Sequence, residues 1–257
     1  MQEPRPMTIT ADRADLRDIL PLRELFLQEN NFQIRYDARH ARGWTDSYLL
    51  RAEDSVVGYG AITGEKRDIR DTVFEYFVVR PFRKYASVIF RQLLVASGAE
   101  YIECQSNDLL LCSMLFEFST SVKSEVVLFE DHAVTEHSVT GATFRPRSKD
   151  DHIFEHGTEP VGDYVIEAGG EVIATGGFLC HYNAPFADLF MEVRKDCRRR
   201  GIGSLLLQEV KKQCYLAGRV PAARCHIQNI ASRATLDKAG LRVCGFMLLG
   251  SVAKERL

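Results

Sequence analysis

The sequence predicts an α/β (α+β) protein made of two related halves, and three observations predict it. Residues 189–217 run from an apolar strand through a glycine turn into a periodic helix. A second strand-to-helix passage, 222–241, follows at once. The N-terminal half repeats the same order of elements, which reads as an internal repeat.

The N-terminal half opens on a helix over 11–28, with Leu16, Ile19, Leu20, Leu22, Leu25 and Phe26 as its apolar positions. Residues 49–54 and 55–61 read as a hairpin and 73–79 as a strand. Residues 80–89 then take the place that the glycine turn has in the other half. Residues 101–107 read as the next strand. Phe74, Tyr76, Phe82 and Phe90 supply a dense aromatic core. In the C-terminal half a first strand covers 142–147. A hairpin turns at Gly169-Gly170, with arms 163–168 and 171–175, the second arm extending as far as His181. A loop at 183–185 leads to a strand over 187–193. The helix beyond the glycine turn carries Ile202, Leu205, Leu206, Val210, Cys214 and Ala217 on one face. It stops at Gly218, with Pro221 beyond. A strand over 222–228, a helix over 229–241 and a final strand pair around 243–249 complete the chain. The predicted domains are 1–140 and 141–257.

The chemistry concentrates at Arg198-Arg199-Arg200-Gly201-Ile202-Gly203-Ser204. Glycines there let backbone approach a ligand closely. The unpaired N–H groups and positive dipole end of the following helix favour an anion, most often phosphate. Three arginines add charge at the same place. The spacing is neither that of a nucleoside-triphosphate loop nor the three-glycine dinucleotide fingerprint.

The string from Val193 to Gly203 resembles instead the pyrophosphate loop of the GCN5-related N-acetyltransferase (GNAT) family, V-x-P-x-x-[QR]-x-x-G-x-[GA], with Lys195 at the usual proline. The run from Asn229 through Ser232 and Lys238 to Gly240-Leu241 is similar to the family's second cofactor motif. The resemblance, of a tandem-domain kind, implies two GNAT-like domains, each a mixed, mostly antiparallel central sheet flanked by helices. It implies acetyl-CoA as co-substrate. The pyrophosphate would lie on Arg198, Arg199, Arg200, Gly201, Ile202, Gly203 and Ser204. The pantetheine arm would run between the strand ending at Val193 and the strand at Cys225, near Asn229 and Ser232, and Met191 and Lys238 would also bind the cofactor. The Val193 N–H would donate to the thioester oxygen. At the motif's usual tyrosine this chain has Leu236, and neither Tyr182 nor Tyr215 replaces it in the motif.

For the proton of an amine acceptor the candidates are Glu192, then Asp188, then His181 and His226. In the first half Ala86 and Val88 replace the two loop glycines, so that half is expected not to bind the cofactor. It has about 40 residues before its hairpin, long for a connection. The second half has only 148–162 there, too few for two helices. In the GNAT family those helices wall the acceptor pocket, so the resemblance implies an acceptor, a small-molecule or peptide amine, bound between the domains with the first as its wall. A non-catalytic acyl-CoA-binding protein and an acyltransferase to a hydroxyl or thiol are the alternatives.

Composition bounds the partners. A formal net charge of −2 argues against nucleic acid. No apolar run suits a bilayer, and the start lacks a secretory pattern. The seven cysteines lack zinc spacing, so no metal is expected. Six of them fall in expected strands and helices, Cys104, Cys112, Cys180, Cys214, Cys225 and Cys244, and read as buried reduced thiols of a cytoplasmic protein. A monomer and a homodimer both fit.

Overall fold

The computed structural model describes residues 7–30, 32–33 and 37–257. In chain order its first part comprises β1 (Ile9–Ala14), α1 (Leu16–Glu29), α2 (Asp37–Ala41), β2 (Asp46–Ala52), β3 (Ser55–Thr63), β4 (Thr72–Val78), α3 (Ala86–Ser97), β5 (Tyr101–Gln105), α4 (Leu109–Phe118) and β6 (Ser119–Asp131). The second part comprises β7 (Ala142–Pro146), β8 (Tyr164–Ala168), β9 (Glu171–Leu179), β10 (Phe186–Val193), α5 (Ile202–Leu216), β11 (Val220–His226), α6 (Ile230–Lys238) and β12 (Leu241–Val252). Two compact units result. One holds Ala38–Glu125, Phe246–Leu257 and the described residues up to Phe32. The other holds Val126–Gly245 with Gln33 and Asp37.

The first unit's sheet runs β1-β2-β3-β4-β5-β12, antiparallel except for β4 with β5. Every residue of β4 is buried, because both faces of the sheet are covered. Against one face α1 packs Ile19 and Phe26 onto Tyr59, Phe74 and Phe77. Against the other, α3 and α4 supply Ile89, Phe90, Leu93, Leu111 and Leu115. The second unit's sheet runs β6-β11-β10-β9-β8-β7, antiparallel except for β10 with β11.

Each sheet is completed by a strand from the other part of the chain. In the first unit, Met247–Ser251 of β12 pair with Tyr101–Gln105. In the second, Val126–Glu130 of β6 pair with Ala222–His226. Neither unit is one contiguous stretch, so a cut after residue 140 parts β6 from β11.

Several expected elements differ. Residues 11–14 are strand, paired with β2, and the helix begins only at Leu16. Its buried line is Ile19, Arg23 and Phe26, while Leu20 and Leu25 are exposed. A charged residue in the buried line, matched by a carboxylate below, displaced the purely apolar stripe. The expected final strand pair is one 12-residue strand. Its partner is the distant β5, which no local turn signal could announce. The second hairpin arm ends at Leu179, and Cys180 is exposed. No helix among the described residues is long and apolar enough to cross a membrane.

Candidate functional site

The site is built on the edge of β10. The Arg194 N–H donates to the Ile173 carbonyl at 2.9 Å. Antiparallel alternation then turns the backbone groups of Asp188, Phe190 and Glu192 toward β9. Those of Leu189, Met191 and Val193 face the other edge. There the parallel ladder with β11 covers only Phe186–Asp188. Beyond it β11 continues, paired on its far side with β6 as far as His226. Two strands of one sheet thus part, and the open backbone of 189–193 lines the gap. Val193 is buried, and its carbonyl accepts a bond from Arg198 Nε at 3.0 Å.

The chain leaves β10 into the glycine turn. Arg199 and Gly201 both take left-handed backbone, φ 62° and 81°. Gly201 caps α5, so the N–H groups of Ile202, Gly203 and Ser204 have no intrahelical acceptor. Packing is tight behind them. A Cβ on Gly203 would stand 3.0 Å from Thr235 Cγ2 and 3.3 Å from Met191 Cε. One on Gly201 would stand 4.0 Å from Lys238 Nζ. Arg198, Arg199, Arg200 and Lys238 are exposed around these donors. Free N–H groups, the helix dipole and these cations together suit a diphosphate. Asn229 has a structural task as well: its Oδ1 accepts the Ser232 N–H at 3.0 Å and caps α6. The Ser204 hydroxyl, nearly buried, donates to the Thr235 carbonyl at 3.4 Å.

Met191 points toward Gly203, so pleating puts Asp188, Phe190 and Glu192 on the opposite face. The Glu192 carboxylate accepts three backbone N–H groups there, from Gly157 at 2.9 Å and from Thr158 and Glu159 at 3.2 Å. Arg198 Nη2 stands 3.7 Å away. Burial pushes the Glu192 carboxyl up, but the three N–H donors outweigh it and hold it below the usual range. Asp188 lies 3.5 Å from His181 Nε2 and 3.8 Å from Arg224 Nε. His226 is exposed, and its Nδ1 accepts the Gln228 N–H at 3.2 Å.

Sequence reasoning missed Glu159 and His156. His156 bonds the Glu159 carbonyl through Nδ1 at 2.9 Å and Thr175 Oγ1 through Nε2 at 3.2 Å. The Glu159 side chain is exposed, yet its carboxyl titrates above its ordinary value. Partial desolvation raises it first, then the charges of Asp188 and Glu192. Both residues lie in 148–162, a stretch without periodicity, so no pattern marked them. Leu236, at the tyrosine position of the motif, is buried. The Tyr215 hydroxyl is held by Asp131 at 2.6 Å.

Residues 129–241 match the family model described as Acetyltransferase (GNAT) family. This segment is thus similar to a GNAT domain. The fold of the whole chain is similar to that of solved GNAT structures. An acetyltransferase of the GNAT family from Colwellia psychrerythraea superposes with a TM-score of 0.70 at 12% identity, over 96% of this chain and 100% of that one. A GCN5-related N-acetyltransferase from Sphaerobacter thermophilus gives 0.58 at 15% identity, over 95% of each chain. A tandem GNAT protein from the clavulanic acid biosynthesis pathway gives 0.56 at 10% identity, over 96% and 99%. No curated protein sequence matches. The GNAT match spans the parted strands, the glycine turn and the Asn229 cap together.

Proposed function

We propose that the protein is an acetyl-CoA-dependent N-acetyltransferase with one working donor site, in the second unit. It acts on a primary amine of a small molecule or peptide by direct attack in a ternary complex. The observation that carries this reading is the parting of β10 from β11 directly before a left-handed Gly201 and the open first turn of α5. Bound acetyl-CoA would supply an acyl thioester open to a nucleophile.

The chain's own residues have these parts. Ile202, Gly203 and Ser204 N–H groups, with Arg199, Arg200 and Lys238, hold the diphosphate. The Val193 N–H faces the gap and donates to an oxygen on which negative charge grows. Asp188, His181 and Glu192 form the polar floor on the acceptor side. Glu192 pins 157–159 and so places Glu159, the carboxyl with the greater proton affinity, to receive the amine's proton.

Titration calorimetry with acetyl-CoA on the wild type and Gly203→Trp tests the reading. One site per chain, lost in the variant, is expected. Absence of binding to the wild type overturns it. A non-catalytic acyl-CoA-binding protein is the second reading, favoured by buried Leu236 where the motif has a tyrosine. Turnover with a panel of primary amines separates the two.

A further inference from the structure

In the first unit two thiols meet. Cys104 lies on β5, inside the core beneath α4. Cys112 lies on α4 and is half-buried. Their sulfurs are 3.4 Å apart, and the Cys112 thiol also donates to the Gln105 carbonyl at 3.4 Å. This contact has a local cause. Asp108 caps α4 by accepting the Leu111 N–H at 3.0 Å, which turns the chain sharply and stacks the helix back on the strand it has just left. Leu111 and Leu115 anchor it there.

We propose that Cys104 and Cys112 form a redox-active dithiol site whose co-substrate is a small-molecule disulfide. The pair differs in access. Cys112 is within reach of solvent, whereas Cys104 is sealed in the core, so Cys112 meets the reagent and Cys104 resolves. The Cys112 thiolate attacks one sulfur of the reagent, whose other half leaves as a thiolate and takes up the proton that Cys112 lost. Cys104, losing its proton, then attacks Cys112 Sγ. The second half leaves as a thiolate and takes up that proton. The net change converts two protein thiols and one small disulfide into one protein disulfide and two small thiols. A disulfide bond is ~2.05 Å long, so the sulfurs must close by about 1.4 Å. Side-chain rotation at half-buried Cys112 can supply a shift of that size.

The pair lies in the first unit, and Cys104 pairs with Leu248 of β12. Oxidation staples α4 onto that part of the sheet. The inference is independent of acetyl-CoA binding, which stands or falls on the second unit.

The test uses the full-length native chain and glutathione disulfide in excess. After oxidation the protein is unfolded, its remaining thiols are alkylated without reduction, and tryptic peptides are mapped by mass. No lysine or arginine lies between residues 92 and 122, so one peptide, 92–123, holds both cysteines. The expected product is that peptide without alkyl groups or glutathione. Cys104→Ser is expected to retain one glutathione on Cys112, and Cys112→Ser to leave Cys104 fully alkylated. The proposal is overturned if wild-type 92–123 carries two alkyl groups while exposed Cys180 has reacted. It is equally overturned if Cys104 pairs with a different cysteine. The wild-type map decides even where a serine variant fails to fold.

Discussion

The two units place the same order of strand, turn and helix under opposite chemistry. In the second, β10 leads through left-handed Arg199 and Gly201 to an α5 whose first N–H groups are open. In the first, β4 leads through a tight 3-10 turn, Arg80–Tyr85, to α3. No residue from 79 to 97 has left-handed backbone. The Ala86 N–H is already bonded to the Arg83 carbonyl, and its carbonyl accepts the Tyr76 hydroxyl at 2.7 Å. Phe90 meets Tyr76 edge to face at 4.8 Å and Phe118 at a tilt at 5.5 Å. Both units part their parallel strands early, since β4 and β5 pair only at 72–73 with 101–102. What differs is the filling. Aromatic side chains and satisfied backbone close the first unit's turn, while small residues and unpaired donors leave the second's open.

The most drastic way to break this comparison is to split the chain. A fragment 141–257 lacks the β6 strand beside β11 and should lose cooperative unfolding. A fragment 126–245 keeps that strand and should retain more structure. Circular dichroism during urea unfolding distinguishes them. If 141–257 unfolds as sharply as the whole protein, the exchanged strand is dispensable.

The second probe is the loop itself, read in binding. Gly203→Trp should weaken acetyl-CoA binding by more than about 100-fold, a change of ~2.7 kcal/mol. Val88→Trp, at the matching but exposed position of the first unit, should leave binding unchanged. Equal losses in calorimetry would mean that both loops bind.

A third probe lies under α1. Fully buried Glu75 is held by Arg23 Nε at 2.9 Å, the Tyr59 hydroxyl at 3.0 Å and His40 Nε2 at 3.2 Å. Removing one partner of such a pair costs about 3–5 kcal/mol, so Glu75→Ala should destabilise the first unit by that order in urea. Burial pushes the Glu75 carboxyl up, but Arg23 and His40 outweigh it and hold it well below the ordinary range. Its stabilising contribution is therefore complete above the unfolded value near ~4.3. It fades as pH falls through the lower folded value. Denaturation midpoints that stay flat on acidification in wild type, with Glu75→Ala as reference, would contradict this.

The smallest expected effect is at the acceptor side. Glu192→Gln keeps the shape but weakens charge-assisted bonds to 157–159, with a loss of about 1–3 kcal/mol. Amide exchange at Gly157, Thr158 and Glu159 should quicken, with little change elsewhere. Unchanged protection there would show that the loop is held by other contacts.

Much of the fold was legible because it is local. The Gly169-Gly170 hairpin, β10, the glycine turn and α5 each carry their signal within a dozen residues. The glycine turn proposed to hold the donor carries its signal locally for the same reason. The side proposed for the acceptor was not, because Glu159 and His156 sit in a stretch with no period, and only contact with Glu192 gives them a place. The line Ser204, Gln208 and Lys211 on α5 was equally silent. These polar residues are buried because Thr235 partners Ser204, Thr135 and His137 partner Gln208, and Ala133 and Ala239 partner Lys211. Arg23 in the buried line of α1 is the same case, explained only by Glu75.

By itself the sequence determined the order from the Gly169-Gly170 hairpin through β10 to α6, the single glycine-bearing loop, and Ala86 and Val88 in the place of its glycines. Periodicity, turn chemistry and a helix start are properties of neighbouring residues, so one chain suffices to read them. Tertiary structure alone decided which strand completes which sheet, which buried charges are paired and where the Cys104 and Cys112 sulfurs meet. Those outcomes depend on groups far apart in sequence, and packing and polar satisfaction choose among partners that no local pattern ranks.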